Sequence, residues 1–213
     1  MFLAADVVVV GLRALTFVAL FYAVGTWMFV ALFERDVEPD RAQRIRNVAR
    51  AGSIAALVLT VVHFVLTPAR MAGSFGATFD PTLEALLLQS SAGPAAIARL
   101  VGLALLTLSL DRVTRLNTAV AALGVALALG SFALGGHAVI HPLRFVLAPL
   151  LLVHLAAAAF WFGALWPLAK IVDSRPRGPG SAVLAHYSRL ALRVVPLVLA
   201  CGVGMSVLFL RSV

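Results

Sequence analysis

The nitrogen and sulfur side chains of this sequence able to hold a soft metal are five histidines, one cysteine and four methionines. His137 and His141 are four apart, a spacing that on a helix puts both rings on one face, as in many metal pairs. Gly135-Gly136 precedes them, however, and Pro142 follows, and a residue before proline avoids the α region. The segment therefore reads as a turn, whose histidines are either ligands or solvated rings. The two glycines permit close approach, which favours His137. His154 stands near the middle of an apolar run. An ionisable group there either binds a ligand or tethers a neighbouring helix through its ring N–H. His63, near the end of another apolar run, is a ligand or a headgroup contact. Met71 and Met205 are soft thioethers that suit Cu(I), although methionine in an apolar helix commonly just packs. Cys201 lies four residues before Met205 on the same face and reads as a small hydrophobe. Arg99, inside a further apolar run, would repel a metal cation. It suits Asp80 or Glu84, an anionic cofactor group such as a haem propionate, or a lipid phosphate reached by snorkelling.

The elements that position these residues follow from composition. The chain of 213 residues is 62% hydrophobic and 12% charged, with mean hydropathy +1.03, which no ordinary soluble domain shows. Runs of roughly 20 apolar residues span a hydrocarbon core about 30 Å thick. They are continuous rather than alternating, which excludes a barrel and leaves helices. The net charge of +8 follows from Arg-rich loops, not from a nucleic-acid-binding role. A single cysteine excludes an internal disulfide and a Cys-cluster metal site. Met1-Phe2-Leu3 lacks a basic start, and the run after it is too long for a signal peptide, so it reads as a retained helix.

The expectation is an all-α, polytopic six-transmembrane-helix bundle forming one integral-membrane domain over residues 1–213. The spans fall at Val7–Phe33, Val48–Leu66, Ala95–Leu110, Thr118–Leu134, Leu143–Ile171 and Tyr187–Leu210. Arg13 lies slightly inside the first span and can snorkel to the surface. Thr67-Pro68 should stop the second. Leu83–Leu88 is too short to span, so it lies on the surface or extends the next helix. Pro149 and Pro167 should kink the fifth span. Val172–Ser181 reads as a flexible linker.

Arginines concentrate in the first, third and fifth loops, which places those in the cytoplasm and both termini in the periplasm. His63 is then roughly 7 Å below the outer surface and His154 on the order of 16 Å deep, at 1.5 Å rise per residue. His137 and His141 lie at that surface, Met71 and Met205 close to it, and His186 on the cytoplasmic side. Trp161, Phe162 and Trp166 read as packing and interface residues.

Four segments resemble the copper resistance protein D (CopD) family of bacterial inner-membrane proteins. They are LLLQSSAGPAAIAR at Leu86–Arg99, SFALGGHA at Ser131–Ala138, HLAAAAFWFGALWPL at His154–Leu168 and YSRLALRVVPLVLACGVGMS at Tyr187–Ser206. The resemblance is best over 86–210, and the first two spans share only the family's character. It implies a multi-pass protein of the bacterial inner (plasma) membrane that handles copper, moving it inward from the periplasm. It carries over to His137 and His154. His63, His141 and Met205 are added from topology. The chain departs from the family in having no Met-rich outer segment.

Two functions of different class follow. In the first, the chain binds or transports copper. His137 and His141 receive the ion at the outer mouth, His154 relays it, and His63 and Met205 are further ligands. A periplasmic copper-binding protein is a possible donor. Ligation needs neutral imidazole, so occupancy should fall at acid pH. No ATPase motif is present and no catalytic residue is assigned. In the second, the chain is an electron carrier or oxidoreductase holding haem b between His63 and His154, with Arg99 on a propionate. An assembly partner without a site of its own is the third possibility.

Overall fold

The computed structural model describes residues 2–111, 114–135, 142–172 and 180–210. His137, His141 and most of the expected linker lie outside the described residues. The described chain is helical: α1 Phe2–Phe33, α2 Pro39–Ala72, α3 Pro81–Gln89, α4 Ala92–Ser109, α5 Arg115–Gly130, α6 Arg144–Val172 and α7 Gly180–Leu210. Short 3-10 turns follow α1, α2 and α5, at Glu34–Asp36, Phe75–Ala77 and Ser131–Leu134. All except α3 are long and apolar enough to cross a membrane, so the chain is a multi-pass membrane protein with six candidate spans. Large apolar side chains on their outer faces, such as Leu116, Leu123, Leu192, Leu199 and Val203, are exposed, as contact with lipid tails requires.

The boundaries differ from expectation in two instructive places. Thr67-Pro68 does not stop α2, which continues to Ala72. Proline is tolerated in a membrane helix where hydroxyl side chains and neighbours re-satisfy the backbone. Here Pro68 is buried. The true stop is Gly73, the one described glycine with positive φ, at 67°. Its N–H bonds the Arg70 carbonyl, and the Ser74 N–H bonds the Ala69 carbonyl, which is a Schellman cap. The first loop is also shorter than expected. Helix α2 already begins at Pro39, a good first helical residue, so Arg41, Arg44, Arg46 and Arg50 lie on a helix. Ala42, Ile45 and Ala49 are buried along that turn, which gives it a packed face outside the apolar run.

The chain packs as two compact units. The first joins residues 1–20 with 52–137, and the second joins residues 21–51 with 138–213. In the first unit α4 and α5 form an antiparallel hairpin with touching backbones. A Cβ on Gly102 would lie 2.5 Å from the Gly124 carbonyl oxygen, and one on Gly124 would lie 2.6 Å from the Gly102 oxygen. Small residues permit such approach, which drives helix association in lipid. Helix α3 is a separate element, not an extension of α4. Asp80 caps it by accepting from the Thr82 and Leu83 N–H groups at 2.8 and 3.2 Å. Asp6 and Arg70 pair at 3.2 Å, so the start of α1 and the end of α2 lie at one end of this unit.

Buried hydroxyls join α2 to α4: Thr107 Oγ1 lies 2.8 Å from Ser53 Oγ and also donates to the Leu103 carbonyl. Interhelical hydrogen bonds in membranes contribute about 0.6 kcal/mol on average and up to about 1.7. Thr107→Val keeps the shape and removes the hydroxyl. Unfolding in mixed micelles should show a loss within that range, and an unchanged transition would mean that the bond adds nothing.

In the second unit α1 crosses α6 at Gly25 and Gly163, and the Thr26 hydroxyl donates to the Gly163 carbonyl at 3.2 Å. Phe29, Phe33, Ile45, Phe160, Leu168, Val183 and Tyr187 form its core. Glu34 pairs with Arg46 beside it, and Asp36 lies 3.5 Å from His186.

Candidate functional site

His154 sits in the middle of α6 in the second unit, half-buried against α7. Its Nδ1 is 3.0 Å from the Val198 carbonyl oxygen. A carbonyl only accepts, so Nδ1 carries the proton and donates, which fixes the tautomer and leaves Nε2 as the lone-pair nitrogen. Metal-binding histidines are held by this kind of second contact. The ring fits because Gly202 faces it: a Cβ there would stand 3.4 Å from His154 Cε1. The same bond also satisfies the tether reading, so the ring is both anchored and open at one nitrogen. Cys201 is buried on α7, and Met205, one turn further, is half-buried.

His63 is in the first unit, and it lines a cavity of about 270 Å³ with Arg13, Arg99 and Ser131. Five elements line this cavity: α1 supplies Arg13 and Phe17, α2 supplies Thr60, His63 and Thr67, α3 supplies Leu87, α4 supplies Arg99, and the turn after α5 supplies Ser131 and Phe132. Arg99 does not reach Asp80 or Glu84. Its Nε donates to Ser131 Oγ at 3.0 Å, and Ser131 donates onward to the Ala128 carbonyl. The Arg99 guanidinium carbon lies 4.5 Å from the Phe132 ring centre and 5.9 Å from that of Phe17. Arg13 lies 5.4 Å from the Phe17 ring centre, so its neighbours are an aromatic face and the cavity. Sequence reasoning singled out Arg99 and His63. It read Arg13 only as a snorkelling side chain, and passed over Ser131. The signal available was Arg13 and Phe17 at i,i+4 on one helix face.

The candidate ligands are therefore distributed. His63 and Arg99 share one cavity, while His154, Cys201 and Met205 belong to the other unit. Met71 is exposed near the end of α2. His186 stacks edge-on against Phe33, with Asp36 beside it. Among the described residues no three His, Cys, Asp or Glu side chains gather as a metal cluster.

Neither a curated protein nor a solved structure matches the chain. A family model does match, the copper resistance protein D-like N-terminal domain, over residues 4–142. The match includes the first two spans, the Leu86–Arg99 and Ser131–Ala138 segments, His63 and Arg99, and it ends before His154. On that match, which covers more than half of its length, the chain belongs to the copper resistance protein D-like family.

Proposed function

We propose that this protein binds copper within the bacterial inner membrane and passes it across, the whole chain acting as one integral-membrane domain with both termini in the periplasm. The family indicates a role in copper resistance. The observation that carries the finer reading is His154: a half-buried imidazole in an apolar helix, oriented by the Val198 carbonyl, with Nε2 left for a ligand. His137 and His141 receive the ion from a periplasmic copper-binding protein, and Met205 offers a soft donor on α7. Copper is cargo here, bound and passed on without being chemically transformed. His63 is the weakest member of the set, because two guanidiniums share its cavity and repel a cation.

Haem b between His63 and His154 is the second reading, favoured by Arg99 beside His63. The cavity there, about 270 Å³, falls short of the roughly 300–1,000 Å³ that buries a drug-sized ligand, and haem is larger than most of these. Copper movement is tested in sealed vesicles carrying the purified protein and a lumenal Cu(I) chelator. Uptake above that of empty vesicles, abolished in His154→Ala, supports the reading. Uptake equal in the variant removes His154 from it.

A further inference from the structure

The cavity of the first unit has a charge problem that copper does not solve. Arg13 and Arg99 both stand on the Phe17 ring, at 5.4 and 5.9 Å from its centre, and both line the same space of about 270 Å³. Both come from apolar spans, where a cation is costly without a partner. Among the described residues no carboxylate pairs with either, and Asp6 at the same end of the unit is taken by Arg70. Arg99 spends only Nε on Ser131, so the two terminal nitrogens of its fork keep their donors. The remaining polar lining consists of His63 and the hydroxyls of Thr60, Thr67 and Ser131. Thr60 and Thr67 turn their protons to helix carbonyls, at 2.6 and 2.8 Å. Apart from the His63 ring, the free side-chain donors of the cavity are thus cationic and concentrated on the two arginines.

We propose that this cavity binds a phosphate group between the guanidiniums of Arg13 and Arg99. A planar guanidinium fork matches two oxygens of a phosphate, and two forks supply the charge for its anion. Phe17 and Phe132 hold the guanidinium planes by cation–π contact, which keeps the forks in place before the anion arrives. The volume accepts a phosphate but not the body of a lipid. Arg99 is seven residues into α4, or roughly 10 Å from that end of the helix at 1.5 Å per residue. At that depth the phosphate is supplied either by a lipid headgroup dipping inward or by free phosphate entering from water. The site is independent of copper, and its test uses none.

Purified protein stripped of lipid in a neutral detergent is titrated with inorganic phosphate and, separately, with short-chain phosphatidylglycerol, while its thermal unfolding is followed. Sodium chloride at matched ionic strength is the control. Stabilisation by phosphate marks a free-anion site, and stabilisation by the lipid alone marks a headgroup site; either supports the proposal. In both cases Arg99→Gln should weaken binding by about tenfold or more, the loss of a hydrogen bond to a charged group. Arg13→Gln, at an exposed position, should do the same, and it keeps the test decisive if Arg99→Gln misfolds. Equal shifts in sodium chloride, no shift with either probe, or equal affinity in wild type and Arg13→Gln would overturn the proposal.

Discussion

Alanine at Gly25 or at Gly163 is expected to destabilise the protein strongly. A Cβ on Gly25 would fall 1.7 Å from the Ala159 carbonyl oxygen and 2.9 Å from the Gly163 Cα. One on Gly163 would fall 2.4 Å from both the Gly25 carbonyl carbon and the Thr26 nitrogen. Every one of these neighbours is backbone, so no rotamer change relieves the clash and α1 and α6 must separate. Separation also breaks the Thr26–Gly163 hydrogen bond. Overpacking of this kind costs typically about 1–3 kcal/mol and occasionally more. Gly11→Ala is the control: it lies on the same helix with nothing within 4 Å of its Cβ. It removes a helix-interior glycine, so it should be neutral or slightly stabilising. Unfolding in mixed micelles distinguishes them. Equal stability of Gly25→Ala and Gly11→Ala would show that the two helices do not cross this closely.

His154 carries the second large effect, and two substitutions separate its two roles. Alanine removes both nitrogens, so it loses the bond to Val198 and any ligand at Nε2. Glutamine can still reach a carbonyl with its amide N–H₂, but its oxygen is a hard, weak donor for Cu(I). The expected result is that both variants lose bound copper, and that alanine also lowers the unfolding temperature while glutamine lowers it less. The lost bond to Val198 explains the difference, since a hydrogen bond of this kind contributes about 0.5–1.5 kcal/mol. Glutamine retaining wild-type copper would reduce His154 to a tether between α6 and α7.

The membrane spans were legible because length and hydropathy alone decide them, and those survive any packing arrangement. Their ends were less legible. Pro68 looks like a stop in one dimension and is not one, because a buried proline can be carried inside a packed membrane helix. The start of α2 at Pro39 needed the buried stripe Ala42–Ile45–Ala49, which an average over apolar windows does not register. The site was legible only where a residue is costly by itself. His154 and Arg99 stand out as polar groups in apolar runs. Arg13 and Ser131 do not, because their significance comes from α1, α4 and the turn after α5 converging on one cavity. Gly25 and Gly163 are unremarkable glycines until the crossing pairs them.

The measurement that bears most directly on the copper reading is the optical spectrum of the purified protein, air-oxidised and then dithionite-reduced, with copper and iron content determined on the same sample. The reading predicts no Soret band, copper bound to the wild type, and that copper lost in His154→Ala. A strong Soret band that sharpens on reduction, with iron stoichiometric with the chain, would contradict it and make this family member a cytochrome.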